Sequence, residues 1–348
     1  MRPAHNGLTS TAPDVISVER LSQKLTLIGH RRFRRRLLIL LHLVCILFFI
    51  PILSGAKGLQ IPGAVGQAQM LPVELKTEHL VEPLGIDTGQ PRFGWLLDST
   101  ERAQLQTAYQ ILVATSLEKL QADIGDKWDS GRVASDNSVE VSYGGSELKS
   151  SERCFWKVRI WDKNGKASAY SVASFFEMGF RKQSDWQGKW IASRKGVSSP
   201  IFRRDFSIEK PVKSARVYIS GIGYYELFIN GQKVGDRVLD PASTYYNNDQ
   251  PFKLKTRVLY AVYDVTEYLK QGPNAIGVML GNGWYSAEAD VAPSPIGRAP
   301  YGDRPRLVFQ MKADLGDGQN FVLVSDSDWK TSPGPITYND FCNGAHDP

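Results

Sequence analysis

Residues 215–231 read ARVYISGIGYYELFING, and the period of two in that stretch decides the fold class. Successive side chains of a strand point to opposite faces, so alternation of this kind marks a sheet with one face on a core. Asn230-Gly231 closes the stretch, and both residues tolerate the positive φ of a tight hairpin. Downstream, NAIGVMLGNGWY (274–285) reads as another strand, and RLVFQMKADLGDG (306–318) with FVLVSDSDWK (321–330) as a hairpin-like pair. RVLYAVYDVTEYL (257–269) runs from a strand into a turn with a short capped helical piece over Asp264–Lys270. Strands of this size joined by long loops predict a jelly-roll, galactose-binding-like β-sandwich over residues 181–333.

Upstream the same pattern holds. Tyr109, Ile111 and Val113 share one face of TAYQILVATS (107–116), and Trp156, Val158 and Ile160 share one face of CFWKVRIWD (154–162). Asn164-Gly165 then offers a tight turn before the strand SVASFFEMG (171–179). A buried Trp on a central strand, amid short strands over about 110 residues, predicts an immunoglobulin- or fibronectin III-like sandwich over 71–180. Leu117–Ile124 reads as a short helix. RKQSDWQGKW (181–190) reads as the junction, with Trp186 and Trp190 packing there. Residues 334–348, GPITYNDFCNGAHDP, read as the opening of a third domain.

The N-terminus is different in kind. LLILLHLVCILFFIPILSGA (37–56) carries no charged residue and follows RRFRRR (31–36). About twenty apolar residues suffice to span a bilayer core, and a basic flank stays on the cytoplasmic side. The expectation is a basic cytoplasmic leader (1–36), a signal or transmembrane segment (37–56) and a Gly-rich linker (57–70). The rest is then exported to the periplasm or beyond, either anchored or cleaved after Ala56. Charge supports the same partition. The chain is +6 overall; residues 1–36 hold eight basic and two acidic side chains, and residues 57–348 hold 34 of each. The excess belongs to the leader, so nucleic acid is not an expected partner. Cys45 lies in the apolar run, while Cys154 and Cys342 are single and far apart, without metal-ligand spacing. Cys154 reads as a small buried hydrophobe, with a Cys154–Cys342 disulfide as the alternative.

No catalytic constellation stands out. Glycoside hydrolysis needs two positioned carboxylates, and Asp236 with Asp240 in GDRVLDP (235–241) lie in a loop, where their spacing fixes no common face. His79 is the one histidine within a domain and reads as a surface strand residue. Sugar binding needs aromatic rings for apolar sugar faces and polar groups for hydroxyls. Asn282, Trp284 and Tyr285 at a strand end are candidates, with Tyr245, Tyr246, Asn247 and Asn248 of STYYNNDQ (243–250). The competing reading of Trp284 is a cap on the core. Oxygen-bearing side chains in these loops make calcium a candidate ligand; no other cofactor is expected.

The stretch ARVYISGIGYYELFINGQKVGDRVLDPASTYY, followed by RVLYAVYDVTEYLKQGPNAIGVMLGNGWY, resembles the N-terminal domain of bacterial α-L-rhamnosidases, glycoside hydrolase family 78. LPVELKTEHLVEPLGIDTGQPRFGWLL (71–97), the strands above and WDSGRV (128–133) are similar to the Ig-like module those enzymes carry first. The resemblance implies hydrolysis of terminal α-L-rhamnose from glycans or glycosides. It places the catalytic carboxylates in a C-terminal (α/α)6 barrel that this chain does not contain. No catalytic residue therefore carries over, and a separately encoded catalytic domain becomes an expected partner beside a rhamnose-containing glycan. A longer loop, YYNNDQPFKLKT (245–256), departs from the family pattern. The rival reading is a stand-alone, membrane-anchored carbohydrate-binding or adhesion module.

Overall fold

The computed structural model describes residues 70–244, 246, 257–286, 301–316, 318–340 and 344–346. The expected leader, the apolar segment 37–56 and the linker up to residue 69 lie outside the described residues. Among the described residues, no helix is long and apolar enough to cross a membrane.

The first sandwich is built from β1 (Leu71–Thr77), β2 (Leu84–Ile86), β3 (Arg92–Asp98), β4 (Ala108–Ala114), β5 (Trp128–Asp129), β6 (Val141–Ser142), β7 (Arg153–Trp161) and β8 (Ser174–Met178). One sheet runs β1-β3-β6 and the other β2-β8-β7-β4-β5. The β2–β8 pair is parallel, and the remaining neighbours are antiparallel. Register places Tyr109 opposite Ile160, Ile111 opposite Val158 and Val113 opposite Trp156. The apolar face of β4 thus meets the apolar face of β7, and all six side chains are buried. Trp156 is fully buried, 4.4 Å from the Phe93 ring of the facing sheet. Removing such a side chain costs about 3–5 kcal/mol through lost burial and an unfilled cavity. Cys154 lies beside it, free and buried, with burial pushing its thiol up to about 12. Cys342 lies outside the described residues.

The tight turn expected at Asn164-Gly165 forms, with Gly165 at positive φ (74°) and Trp161 bridging Ala167 beyond it. The turn's shape comes from the Asp162 carboxylate, which accepts from the backbone N–H groups of Asn164 and Lys166, both at 2.9 Å. The helix α1 spans Leu117–Gln121, shorter than 117–124; Ser116 caps its start, accepting from Lys119 N at 3.3 Å. It ends early where Asp123 takes φ 59°, a conformation that closes a helix.

The second sandwich contains β9 (Pro200–Ile208), β10 (Ser214–Ile222), β11 (Tyr224–Ile229), β12 (Gln232–Lys233), β13 (Ala261–Asp264), β14 (Gly272–Gly281), β15 (Arg306–Asp314), β16 (Asn320–Val324) and β17 (Lys330–Pro333). Its sheets run β12-β11-β14-β9-β17 and β13-β10-β15-β16, antiparallel throughout. Val217, Ile219, Leu227, Ile229, Ile276, Val278, Phe309 and Met311 fill the space between them. Asn230 and Gly231 both have positive φ, 51° and 81°, as the β11–β12 hairpin requires. At Gly223 (φ 98°) an added Cβ would fall 1.9 Å from the Gly281 carbonyl oxygen, so only glycine fits between β10 and β11. The helical piece expected at 264–270 is a 3-10 turn over Thr266–Tyr268, held by the Asp264 carboxylate. Beyond β17, β18 (Tyr338–Asp340) pairs with β19 (Gly344–His346).

The alternation in β10 serves two cores. Ala215, Val217 and Ile219 face the interior of their own sandwich. Arg216, Tyr218 and Ser220, on the other face, are buried as well, covered by the first sandwich and the 180–190 junction. Tyr218 stacks on Phe180 at 3.9 Å and donates to Ser151 Oγ at 2.9 Å. Arg216 Nε donates to the Glu177 carboxylate of β8 at 3.0 and 3.1 Å. Phe180 N donates to the Tyr260 hydroxyl at 2.7 Å. Trp186 closes the seam edge-on to Phe180 and Tyr260, at 5.0 and 5.4 Å.

Candidate functional site

The turn after β14 brings several sequence-selected residues together, but largely spends their polar groups internally. Asn282 is buried. Its backbone N–H donates to Asn339 Oδ1 at 2.6 Å, its side-chain amide donates to the Asn339 carbonyl at 3.1 Å, and its Oδ1 accepts from Ser286 Oγ at 3.1 Å. Asn339 in turn donates to the Ser198 carbonyl at 2.6 Å. The result is a clasp joining the end of β14 to β18 and to the chain entering β9. Tyr285 is also buried, against Gly302. Trp284 is half-buried and engaged with neighbouring groups.

Tyr246 is half-buried and meets Tyr285 and Tyr301 edge-on, at 5.4 and 5.3 Å. Tyr301 belongs to this aromatic group and carried no signal in the sequence beyond its ring. Asn247, Asn248 and Tyr245 lie outside the described residues. Among the described residues, no group of three or more His, Cys, Asp or Glu side chains could hold a metal ion. Asn282 Oδ1, a prospective calcium ligand, already accepts a hydroxyl proton, so no step is assigned to calcium at this turn.

Of the acids considered for catalysis, Asp236 is exposed on its loop, and Asp240 is tied up. Asp240 Oδ2 accepts from the hydroxyls of Tyr225 (2.8 Å) and Tyr263 (3.2 Å) and lies 3.6 Å from Arg237. It anchors its loop to the core. His79 is exposed and 3.2 Å from Glu140. Arg92 pairs with Glu78 and Glu140, and its hydrogen bond holds Glu78 below the usual carboxylate range despite burial.

Tyr246 also lines a larger feature, a cleft of about 630 Å3 along the seam between the sandwiches. The junction supplies Arg181, Lys182, Trp186 and Trp190 to one wall; the second sandwich supplies Arg257 and Tyr260. Trp186 is held by its ring contacts, whereas Trp190 is 42% exposed. Burial pushes the Tyr260 phenol up to about 12, so it stays a neutral hydroxyl that receives the Phe180 N–H. Composition flagged both tryptophans as junction residues. It did not flag the cleft, whose two walls are far apart in sequence.

Two family descriptions match this chain. Residues 72–182 match the Rha78A-like N-terminal immunoglobulin domain, and residues 210–347 match the α-L-rhamnosidase N-terminal domain. An α-L-rhamnosidase of Formosa agariphila is 36% identical over 289 residues, covering 75% of this chain and 29% of that protein. One from Alteromonas sp. is 32% identical, with 77% and 29% covered. The solved α-L-rhamnosidase from Dictyoglumus thermophilum superposes with a TM-score of 0.70 at 41% identity, covering 79% of this chain and 31% of that one. The Aspergillus terreus enzyme gives 0.68 at 34% identity, with 80% and 31% covered. The chain thus spans about three-tenths of the length of these relatives. Through both of its sandwiches, over residues 72–182 and 210–347, the chain belongs with the N-terminal domains of the glycoside hydrolase family 78 α-L-rhamnosidases.

Proposed function

We propose that this chain is the accessory N-terminal part of an exported α-L-rhamnosidase, whose two sandwiches present rhamnose-containing glycans to a catalytic (α/α)6 barrel encoded outside it. The observation that carries the reading is the ordered pair of family domains joined by a buried, ion-paired seam. The described residues are almost entirely strand and loop. Asp240, a candidate carboxylate, is engaged by Tyr225, Tyr263 and Arg237, which suits bracing and positioning rather than acid–base work.

Within this reading the second sandwich is of jelly-roll, galactose-binding-like type, and residues 334–348 open the next domain. Residues 37–56 carry the chain to or into the membrane, so that residues from 57 onward work in the periplasm or outside the cell. Trp284, Tyr246 and Asn247 remain proposed sugar-facing positions, while Asn282 and Tyr285, being buried, shape the turn that carries Trp284. Of these, Trp284 and Tyr246 keep part of their surface exposed.

The test is direct. The purified full chain should release no rhamnose from an aryl α-L-rhamnoside, and supplying the barrel of a relative in trans should restore turnover. Turnover by the chain alone, after contaminating glycosidases are excluded, would refute the reading. Protease protection of intact cells, with N-terminal sequencing of the mature chain, separates an anchored from a cleaved form.

A further inference from the structure

We infer that the seam cleft is a binding site for an acidic saccharide, whose uronate carboxylates meet Arg181, Lys182 and Arg257 while a sugar ring lies against Trp190. The inference goes beyond the accessory role, because it places a ligand away from the Asn282–Tyr285 turn and gives that ligand a charge.

The lining is the first argument. Among the described residues, three cations border the cleft and no Asp or Glu does. Residues 57–348 have equal numbers of basic and acidic side chains, so this is a local concentration and not a share of a basic surface. A low-dielectric concave wall of one sign focuses potential on whatever enters. Among the described residues, Lys182 and Arg257 form no ion pair; Arg181 spends part of its guanidinium on the Leu148 carbonyl. Asp185, the acid nearest in sequence, is already consumed. Its Oδ2 accepts from Ser150 Oγ (2.5 Å), Arg181 N (3.1 Å) and Lys182 N (2.8 Å). Burial raises its pKa, but the Ser150 and backbone bonds outweigh that and hold it below the usual carboxylate range.

The rings are the second argument. Trp186 and Tyr260 are fixed edge-on to one another, giving a rigid apolar floor. Trp190, exposed at the rim, presents a π-face of the kind that stacks on pyranose rings. A neutral saccharide would cover these cations without pairing them, at a desolvation cost; a uronate turns that cost into charge-assisted hydrogen bonds. A cleft of about 630 Å3 has room for roughly two or three sugar units, and is short for the backbone track that a polynucleotide needs.

The test uses the full chain in a polyoxyethylene-ether detergent, which carries no sugar headgroup. It is titrated with an α-1,4-linked galacturonate oligomer, the same oligomer reduced to galactose, and a thymidine oligomer. The galacturonate oligomer should bind at least ~10-fold tighter than its reduced form at low salt, and the advantage should shrink several-fold in about 0.5 M NaCl. A Lys182→Ala/Arg257→Ala double variant should abolish the advantage, whereas Trp190→Ala should weaken both saccharides alike. All three positions are exposed, and unfolding curves confirm that each variant is folded. Equal binding of the acidic and reduced oligomers, equal or tighter binding of the thymidine oligomer, or no binding of galacturonate overturns the inference. Rhamnose release, measured on the same preparation, reports separately on the accessory reading.

Discussion

The Glu177–Arg216 contact should behave as a coupled pair whose loss is felt by both sandwiches. Arg216 donates to Glu177 at 3.0 Å, and the two side chains are 9% and 5% exposed. Each has a second, wetter partner: Glu177 has Arg153 at 3.0 Å, and Arg216 has Asp264 at 2.8 Å, with Arg153 35% and Asp264 51% exposed. Breaking a fully buried pair costs ~3–5 kcal/mol because one charge is left uncompensated. Here the second partner absorbs part of that loss, so Glu177→Met or Arg216→Met should each destabilise by ~2–3 kcal/mol. Replacing both should cost less than either alone, about 0–1 kcal/mol, since apolar side chains suit the Phe180–Tyr218 surroundings and the stranded partners reach water. The double-mutant cycle, read by urea unfolding of the full chain in detergent, should therefore give a coupling energy of at least ~3 kcal/mol. A coupling below about 0.5 kcal/mol, or simple additivity, would show that water screens the pair and that the seam is held by ring packing alone.

Other outcomes follow from single contacts. Asp126 accepts from Lys119 and Thr115; burial opposes, but these bonds hold its pKa at about 2. A depressed folded-state value stabilises above the unfolded pKa and is lost as pH falls through the folded one. Asp126→Asn should thus cost ~1–2 kcal/mol at neutral pH after allowance for partial exposure, and the gap from the unmodified chain should close towards pH 2. Asp240→Ala leaves one of two tyrosine hydroxyls without an acceptor, since Tyr225 and Tyr263 can still bond each other at 3.0 Å, and should cost ~1–3 kcal/mol in chemical denaturation, while Asp240→Asn, which keeps an acceptor, should cost under about 1. Asn282→Ala opens the clasp to Asn339 and Ser286 and should cost ~2–3 kcal/mol; a neutral result would mean that water replaces the amide.

The sandwich class was legible wherever a strand has one dry face. Tyr109, Ile111 and Val113 meet Trp156, Val158 and Ile160 across the register that the period of two demands, and Asn230-Gly231 turns as its φ freedom allows. Arg216, Tyr218 and Ser220 carried the opposite message. Polar and amphipathic residues alternating with apolar ones read as a wet face, yet they are buried, because a second domain and not solvent covers them. Asp240 looked like a solvated loop acid because its partners, Tyr225 and Tyr263, lie 15 and 23 residues away. Asn282 has the composition of a sugar ligand and is used as a clasp, since a buried amide bonds its own chain as well as it bonds a hydroxyl. The seam cleft was illegible for a topological reason: its walls come from residues 180–190 and 257–260, which only tertiary folding juxtaposes.

The bond from Phe180 N to the Tyr260 hydroxyl spans 80 residues, and it orders events in time. On the ribosome the first sandwich emerges well before residue 260. Until then its last amide lacks a protein acceptor, and Phe180 awaits Tyr218. At roughly 5–20 residues per second, that interval lasts several seconds, during which the seam face of the first sandwich is uncovered. Whatever first meets this half of the nascent protein, a chaperone included, meets that face before its own partner does.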